Sequence, residues 1–250
     1  MSDSLVIIPT YKEKENIKSI IVAIFSLEKD FDILVIDDNS PDGTADIVKE
    51  LMKAFHDRLY ILERPGKLGL GTAYIQGFKY ALEHQYEYIF EMDADFSHNP
   101  KDLELLYRAC EKEGNDVAVG SRYASGVNVV NWPMSRVLLS YFASLYVQIV
   151  TGMSVKDSTA GFICYKKKVL ETINLDRVKF IGYAFQIEMK FTSWKFGFKI
   201  KEVPIIFTNR VLGESKMSTG ILSEAVFGII KMKFRSFFKS YNRVNQSEST

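Results

Sequence analysis

Cysteine is nearly absent from this 250-residue chain: Cys110 and Cys164 stand alone, so there is neither a disulfide framework nor a zinc-ligand spacing. A reducing, cytosol-facing compartment fits that usage. Proline is also sparse, with six residues, and no Pro/Gly/Ser-rich linker, repeat or low-complexity block marks a domain boundary. Charge of one sign is lacking too. The formal net charge is +1, which gives no reason to expect a nucleic-acid partner. No basic segment followed by an apolar stretch opens the chain, so no signal peptide is expected. The longest uncharged run, residues 137–155, is interrupted by Ser140, Ser144, Gln148, Thr151, Gly152 and Ser154. It is too polar for a comfortable membrane span and is expected to form a core or interface-lying helix.

What is present is an ordinary globular composition, 47% hydrophobic, with material for one large core. Length alone would admit two domains. Short apolar runs alternate with helical patterns through the first 120 residues. Strands are expected at residues 5–9, 31–36, 59–62, 86–92 and 116–119, with helices at about 16–27, 44–55, 71–83 and 101–112. Continuous apolar strands between helices indicate an α/β fold with a parallel sheet covered on both faces.

The unusual chemistry sits at the carboxyl ends of those strands, where open α/β sheets bind ligands. Pro9-Thr10-Tyr11-Lys12-Glu13 follows the first strand, Asp37-Asp38 the second and Asp93-Ala94-Asp95 the fourth. Side chains at i and i+2 of an extended backbone point the same way, so Asp93 and Asp95 can converge on one hard cation. Taken alone, the pair reads equally well as a solvated acidic turn.

Gly69-Leu70-Gly71-Thr72-Ala73-Tyr74 follows a strand and opens a helix, as a dinucleotide fingerprint would. Tyr74 occupies the third small position and its bulk opposes close helix–strand packing, so a turn plus helix start is the preferred reading. No P-loop motif occurs.

Beyond Ser121 the alternation lapses. A helix is expected from Trp132-Pro133 to about Val150, a Gly-containing turn at residues 156–162, a helix from about 182 to 196, and an edge strand over 199–207 containing Pro204. Residues 225–241 mix Phe227, Phe234, Phe237 and Phe238 with Lys231, Lys233, Arg235 and Lys239, without an acidic residue. This basic, aromatic-rich amphipathic helix is expected to lie on a membrane surface, against the alternative that it packs on the domain with exposed lysines.

Several pieces are ordered together: Ile8-Pro9-Thr10-Tyr11-x-Glu13, Asp37-Asp38-x-Ser40-Pro41-Asp42-Gly43-Thr44, Met92-Asp93-Ala94-Asp95, Gly120-Ser121-Arg122-Tyr123, Asp157-x-Thr159-x-Gly161-Phe162 and Arg210-x-x-Gly213-x-Ser215-Lys216. In this order the chain resembles a family 2 glycosyltransferase of GT-A fold, in the dolichyl/polyprenyl-phosphate mannosyltransferase group. The resemblance implies a GT-A domain over residues 1–220; the basic amphipathic segment is expected as an interfacial helix over 221–243, and the polar residues 244–250 as a disordered tail. The resemblance also implies that Pro9, Tyr11, Glu13, Ile36 and Asp38 hold the nucleoside of a nucleotide sugar, with GDP-mannose favoured. Asp93 and Asp95, with the Ala94 backbone, would hold Mg²⁺ or Mn²⁺ against the diphosphate, and Arg122, Arg210 and Lys216 would contact phosphates. Asp95, Arg122, Arg210 and Lys216 are thus the catalytic candidates.

The implied reaction is inverting, metal-dependent hexose transfer to a polyprenyl or dolichyl phosphate, by an enzyme peripheral to the cytoplasmic face of a membrane. An anchoring subunit is left open. Three departures stand out. Lys12 replaces an expected Asn, and Phe96-Ser97 stands where Leu-Gln is common. Ile163 stands where Arg is usual, so an acceptor-side cation is missing or comes from residues 166–168. Rival readings are a UDP-sugar transferase acting on the same lipid class, a catalytically silent nucleotide-binding membrane module, and a nicotinamide oxidoreductase resting on the flawed glycine motif.

Overall fold

A strand buried on both faces must be apolar along its whole length, and the first two strands obey this. The computed structural model, which describes residues 2–182, 184–210 and 220–241, places β1 at Ser4–Thr10 and β2 at Asp32–Asp37, every residue of β2 being buried. They pair in parallel with Pro9 opposite Ile36 and Thr10 opposite Asp37. β3 (Leu59–Glu63) extends the sheet beyond β2, and β4 (Tyr88–Glu91) lies on the other side of β1. With β5 (Val117–Ser121), β7 (Ile163–Lys166) and β8 (Ile200–Pro204) the sheet has seven strands in the order β3-β2-β1-β4-β7-β5-β8.

β7 is the exception to the expected parallel sheet, for it runs antiparallel between β4 and β5. Its inversion has a positional consequence. The turn that leads into β7 emerges at the same edge as the carboxyl ends of β1, β2, β4, β5 and β8. The expected single strand over 199–207 is broken in two. β8 forms the sheet edge, as Pro204 requires, and β9 (Phe207–Thr208) pairs instead with β6 (Val129–Val130).

Helices cover both faces. α1 (Ile17–Phe25) buries Ile17, Ile20, Ile21 and Ile24, a stripe at helical spacing. With α2 (Thr44–Met52) and α4 (Asp102–Glu111) it covers one side of the sheet. α4 follows Pro100 and carries Asp102 and Glu104 in its first turn and Arg108 in its last, in keeping with the helix dipole. α3 (Leu70–Glu83), α6 (Lys167–Thr172) and α7 (Ala184–Lys195) cover the other side. α3 lies close because Gly77 has no side chain; a Cβ there would stand 2.7 Å from Ile7.

A third core joins α5 (Met134–Thr151), α7 and α8 (Gly220–Ser236), with Val147, Ile187, Phe191 and Ile229 buried together. The C-terminal helix is therefore packed along one face, while Phe227, Phe234, Phe237 and Phe238 remain 64–79% exposed. Among the described residues no helix is long and apolar enough to cross a membrane. The tail expected at 244–250 lies outside the described residues.

Candidate active site

The loops after β1 and β2 are stapled to each other before any ligand is considered. Asp37 accepts hydrogen bonds from Thr10 Oγ1 (2.7 Å), Ser40 N (2.8 Å) and Ser40 Oγ (2.6 Å). The backbone N–H of Lys12 donates to Ser40 Oγ, that of Glu13 to Thr44 Oγ1 and that of Lys14 to Asp42 Oδ2. Asp37 and the Pro41-Asp42-Gly43-Thr44 turn are thus structural.

Asp38 has a partner that the sequence did not announce. Arg64, at the end of β3, reaches its Oδ1 at 2.5 Å and is itself held by Thr72 Oγ1 and the Gly69 carbonyl. Burial leaves Asp38 above the ordinary carboxylate range, although Arg64 pulls the other way. This also settles the use of the glycine motif. Gly69 takes φ 101°, a value glycine adopts freely, and Gly71 packs on Phe180 and Phe185, so the segment is engaged by the protein itself.

Of the other nucleoside-site candidates, Pro9 and Tyr11 lie at the open edge, with Lys67 Nζ 5.4 Å from the Tyr11 ring centre. Glu13 is buried and accepts from Asn16 Nδ2. Ile36 differs from the rest. Its side chain is fully buried in the core beneath Gly77, so only its main chain can meet a nucleoside.

After β4 the chain turns through Asp93-Ala94-Asp95. Ala94 is buried in the core, which leaves the two carboxylates on the wall of one cavity of about 370 Å³. Asp95 accepts from the Ser97 backbone N–H and forms an ion pair with Arg210 at 2.8 Å. His98 is buried behind it, stacked on Phe162, and burial lowers its pKa to about 4 despite the Asp95 charge, so it is neutral. Three loops here hold a non-glycine residue at positive φ: Lys12 at 57°, Asn39 at 56° and Phe96 at 57°. Such strain persists only where its surroundings enforce it and concentrates at functional sites.

Arg122, at the end of β5, is held in a buried two-pronged pair with Asp157: Nε donates at 2.7 Å and Nη2 at 2.6 Å, and Nη2 also donates to Thr159 Oγ1. Its guanidinium is flanked by the rings of Tyr123, Trp132 and Phe207. The charge is fixed on the cavity wall and already partnered. Arg210 likewise lines the cavity, while Lys216 lies outside the described residues.

Arg136 and Ser140 were missed. They lie one turn apart on α5, and both line the cavity with Asp93, Asp95, Arg122 and Arg210. Arg136 stacks over Trp132 at 4.0 Å and donates to Asn209 Oδ1. The readable signal is an Arg and a Ser at i, i+4 in the helix that opens after Trp132-Pro133. The alternative cations at residues 166–168 are excluded by β7, which carries them to the opposite end of the sheet, where Lys168 pairs with Asp116 and Lys167 meets Gln85.

The rest of the cavity is mainly apolar, with Leu139, Phe142, Ala143, Val147, Val226 and Ile229 leading from the charged end towards α5 and α8. Among the described residues no group of three His, Cys, Asp or Glu is positioned to hold a metal. The chemistry of Asp93 and Asp95 nevertheless suits a divalent ion whose coordination is completed by phosphate oxygens.

Residues 5–173 match the profile of Glycosyl transferase family 2. The chain is 44% identical over 232 residues to the polyprenol monophosphomannose synthase of Mycolicibacterium smegmatis, which covers 93% of this chain and 87% of that protein. It is 43% identical over 227 residues to the undecaprenyl-phosphate mannosyltransferase of Micrococcus luteus, with 91% and 92% covered. Among solved structures it resembles glucosyl-3-phosphoglycerate synthase from Mycobacterium tuberculosis (TM-score 0.64, 15% identity, 93% and 78% covered). A mannosyltransferase from Pyrobaculum calidifontis in complex with GDP-Man and Mn²⁺ also superposes (TM-score 0.60, 16% identity, 96% and 65% covered). These neighbours bear out the GT-A architecture.

Proposed function

This chain belongs to Glycosyl transferase family 2 and is a glycosyltransferase, and we propose that it transfers mannose from GDP-mannose to a polyprenyl phosphate with inversion. One juxtaposition carries the reading. A carboxylate pair suited to a metal diphosphate and three guanidinium groups share a cavity whose remaining wall is mainly apolar and leads to exposed helices. A phosphate joined to a long hydrocarbon matches that combination, since each end of the cavity serves one end of the molecule.

In the reaction, an acceptor phosphate oxygen attacks the anomeric carbon while the bond from that carbon to the donor's β-phosphate oxygen breaks. Inversion follows from attack opposite the leaving group. The acceptor is largely ionised near neutral pH, its second pKa being about 6, so no general base is required. Arg136 and Ser140, with Arg122 behind them, hold the nucleophilic phosphate in line. Arg210 holds Asp95 and presents positive charge towards the donor phosphates. Asp93 and Asp95 would hold a divalent cation, Mg²⁺ or Mn²⁺, which would neutralise the charge that collects on the departing nucleoside diphosphate. Asp38, oriented by Arg64, accepts from the base. A carboxylate can take two parallel N–H donors from guanine, which favours a GDP-linked donor.

The exposed apolar side chains of α5 and α8 form the membrane-facing surface in this reading. Met134, Phe142 and Ile149 on α5 are 57–73% exposed, and Phe227 and Phe234 on α8 with Phe238 just beyond it are 64–79% exposed, beside Lys231 and Arg235. Apolar rings beside cations suit an anionic bilayer surface.

The test is a panel of GDP- and UDP-linked sugars, each with polyprenyl phosphate and Mn²⁺. Mannosyl lipid from GDP-mannose alone is expected. Glucosyl or N-acetylhexosaminyl lipid from a UDP-sugar would replace this reading.

A further inference from the structure

We propose that Gln186 reads hydroxyl groups of the transferred hexose, through an opening that Gly161 leaves in the cavity wall. The proposal rests on the cavity being the transfer site described above.

Gln186 lies in the first turn of α7 and is 2% exposed, yet its Oε1 has no hydrogen-bond partner and its Nε2 is directed only at the buried Glu91 carboxylate. The buried hydroxyls of Tyr74 and Tyr165 near Glu91 also lack partners. A buried polar group without a partner costs about 1–3 kcal/mol, and native proteins rarely retain several at one place without a ligand or water to satisfy them.

The location narrows the ligand. Gln186 lines the same cavity as Asp93, Asp95, Arg122 and Arg136. In a displacement between two phosphates the sugar must lie between them. A carboxamide offers both a donor and an acceptor, which suits neighbouring neutral hydroxyls better than a phosphate or a cation.

Gly161 supplies the opening. Its φ is not in the left-handed region, so its backbone does not demand glycine. A Cβ there would meet only Gln186, at 3.5 Å from Nε2, an ordinary contact. Alanine is therefore accommodated, but its methyl would cap the amide. Lys190, fully buried on α7, donates to the Ala160 carbonyl at 2.6 Å and fixes the turn that carries this glycine.

The test uses the full-length protein with Mn²⁺ and compares Kd for GDP and for GDP-mannose by calorimetry, alongside kcat/KM for transfer. Gln186→Leu keeps bulk and removes hydrogen bonding; Gly161→Ala keeps Gln186 and covers it. Both variants are expected to bind GDP within about twofold of wild type while losing GDP-mannose affinity by on the order of tenfold, the equivalent of about 1.4 kcal/mol. Wild-type ratios of GDP-mannose to GDP affinity in both variants would overturn the proposal. So would equal loss of GDP and GDP-mannose binding, which marks a packing role. If wild type prefers another nucleotide sugar, the ratio is measured with that sugar and its nucleotide. An error in the donor then shows in wild type, and an error about Gln186 shows in the variants.

Discussion

Arg122 and Asp157, 35 positions apart, form a buried pair in which one carboxylate receives both the side-chain nitrogens and the backbone N–H of the arginine. The pair joins the end of β5 to the turn before β7 and so sets the cavity wall. Removing one partner of such a pair leaves a buried charge uncompensated, at a cost of about 3–5 kcal/mol. Asp157→Ala is expected to lower stability by that amount in urea denaturation and to reduce transfer further by releasing Arg122. An unchanged denaturation midpoint would show that the pair is dispensable.

The same pair has a pH signature. Burial alone would raise the Asp157 pKa, but the hydrogen bonds and charge of Arg122 bring it below the ordinary value. A depressed carboxylate contributes stability that is present above its unfolded pKa of about 3.9 and is lost as pH falls through the lower folded value. Wild type is expected to lose this contribution only below about pH 4, whereas Asp157→Asn lacks it throughout. Acid unfolding followed by circular dichroism compares the two.

Lys190 should act in the opposite pH range. Burial lowers its pKa to about 8 from the ordinary 10.5. Between those values the unfolded chain holds a proton that the folded chain has released, so stability rises with pH from about 8 towards 10.5. Lys190→Met is expected to flatten that rise. Urea midpoints at intervals from pH 7.5 to 10 measure it, and a parallel rise in the variant would assign the effect elsewhere.

Asp95→Ala is expected to abolish metal-dependent transfer without unfolding the protein, since the fold's cores do not depend on this carboxylate. Chelation of divalent cations should do the same to wild type, reversibly on adding Mn²⁺. Transfer retained by Asp95→Ala would remove this residue from the reaction.

The membrane surface can be tested without cutting into the core. Phe234→Ser with Phe238→Ser alters two exposed rings and leaves Ile229 packed. Weaker sedimentation with anionic liposomes and slower transfer to long-chain acceptors are expected, with GDP binding retained. Unaltered liposome binding would make the helix simply a packed element.

Local chemistry made much of this protein legible in advance. Apolar runs of strand length, a Pro before α4 and the Asp-x-Asp spacing after β4 are properties of neighbouring residues, so the order of elements through β5 and the position of the acidic loops followed from the chain itself. Periodicity also exposed the two faces of α8, but not which neighbour would cover one of them. The structure decided that with Ile229 packed beside Val147 and Phe191.

Tertiary structure alone decided pairings across long separations: Arg64 with Asp38, Asp157 with Arg122, and Arg136 with Asn209. It also set the direction of β7, which carries residues 157–161 to the donor edge and residues 166–168 away from it. No local pattern encodes these, because strand direction and side-chain partners are chosen by which surfaces can be buried together. Sequence determined the pieces and the edge where they gather; packing determined which side chains meet there.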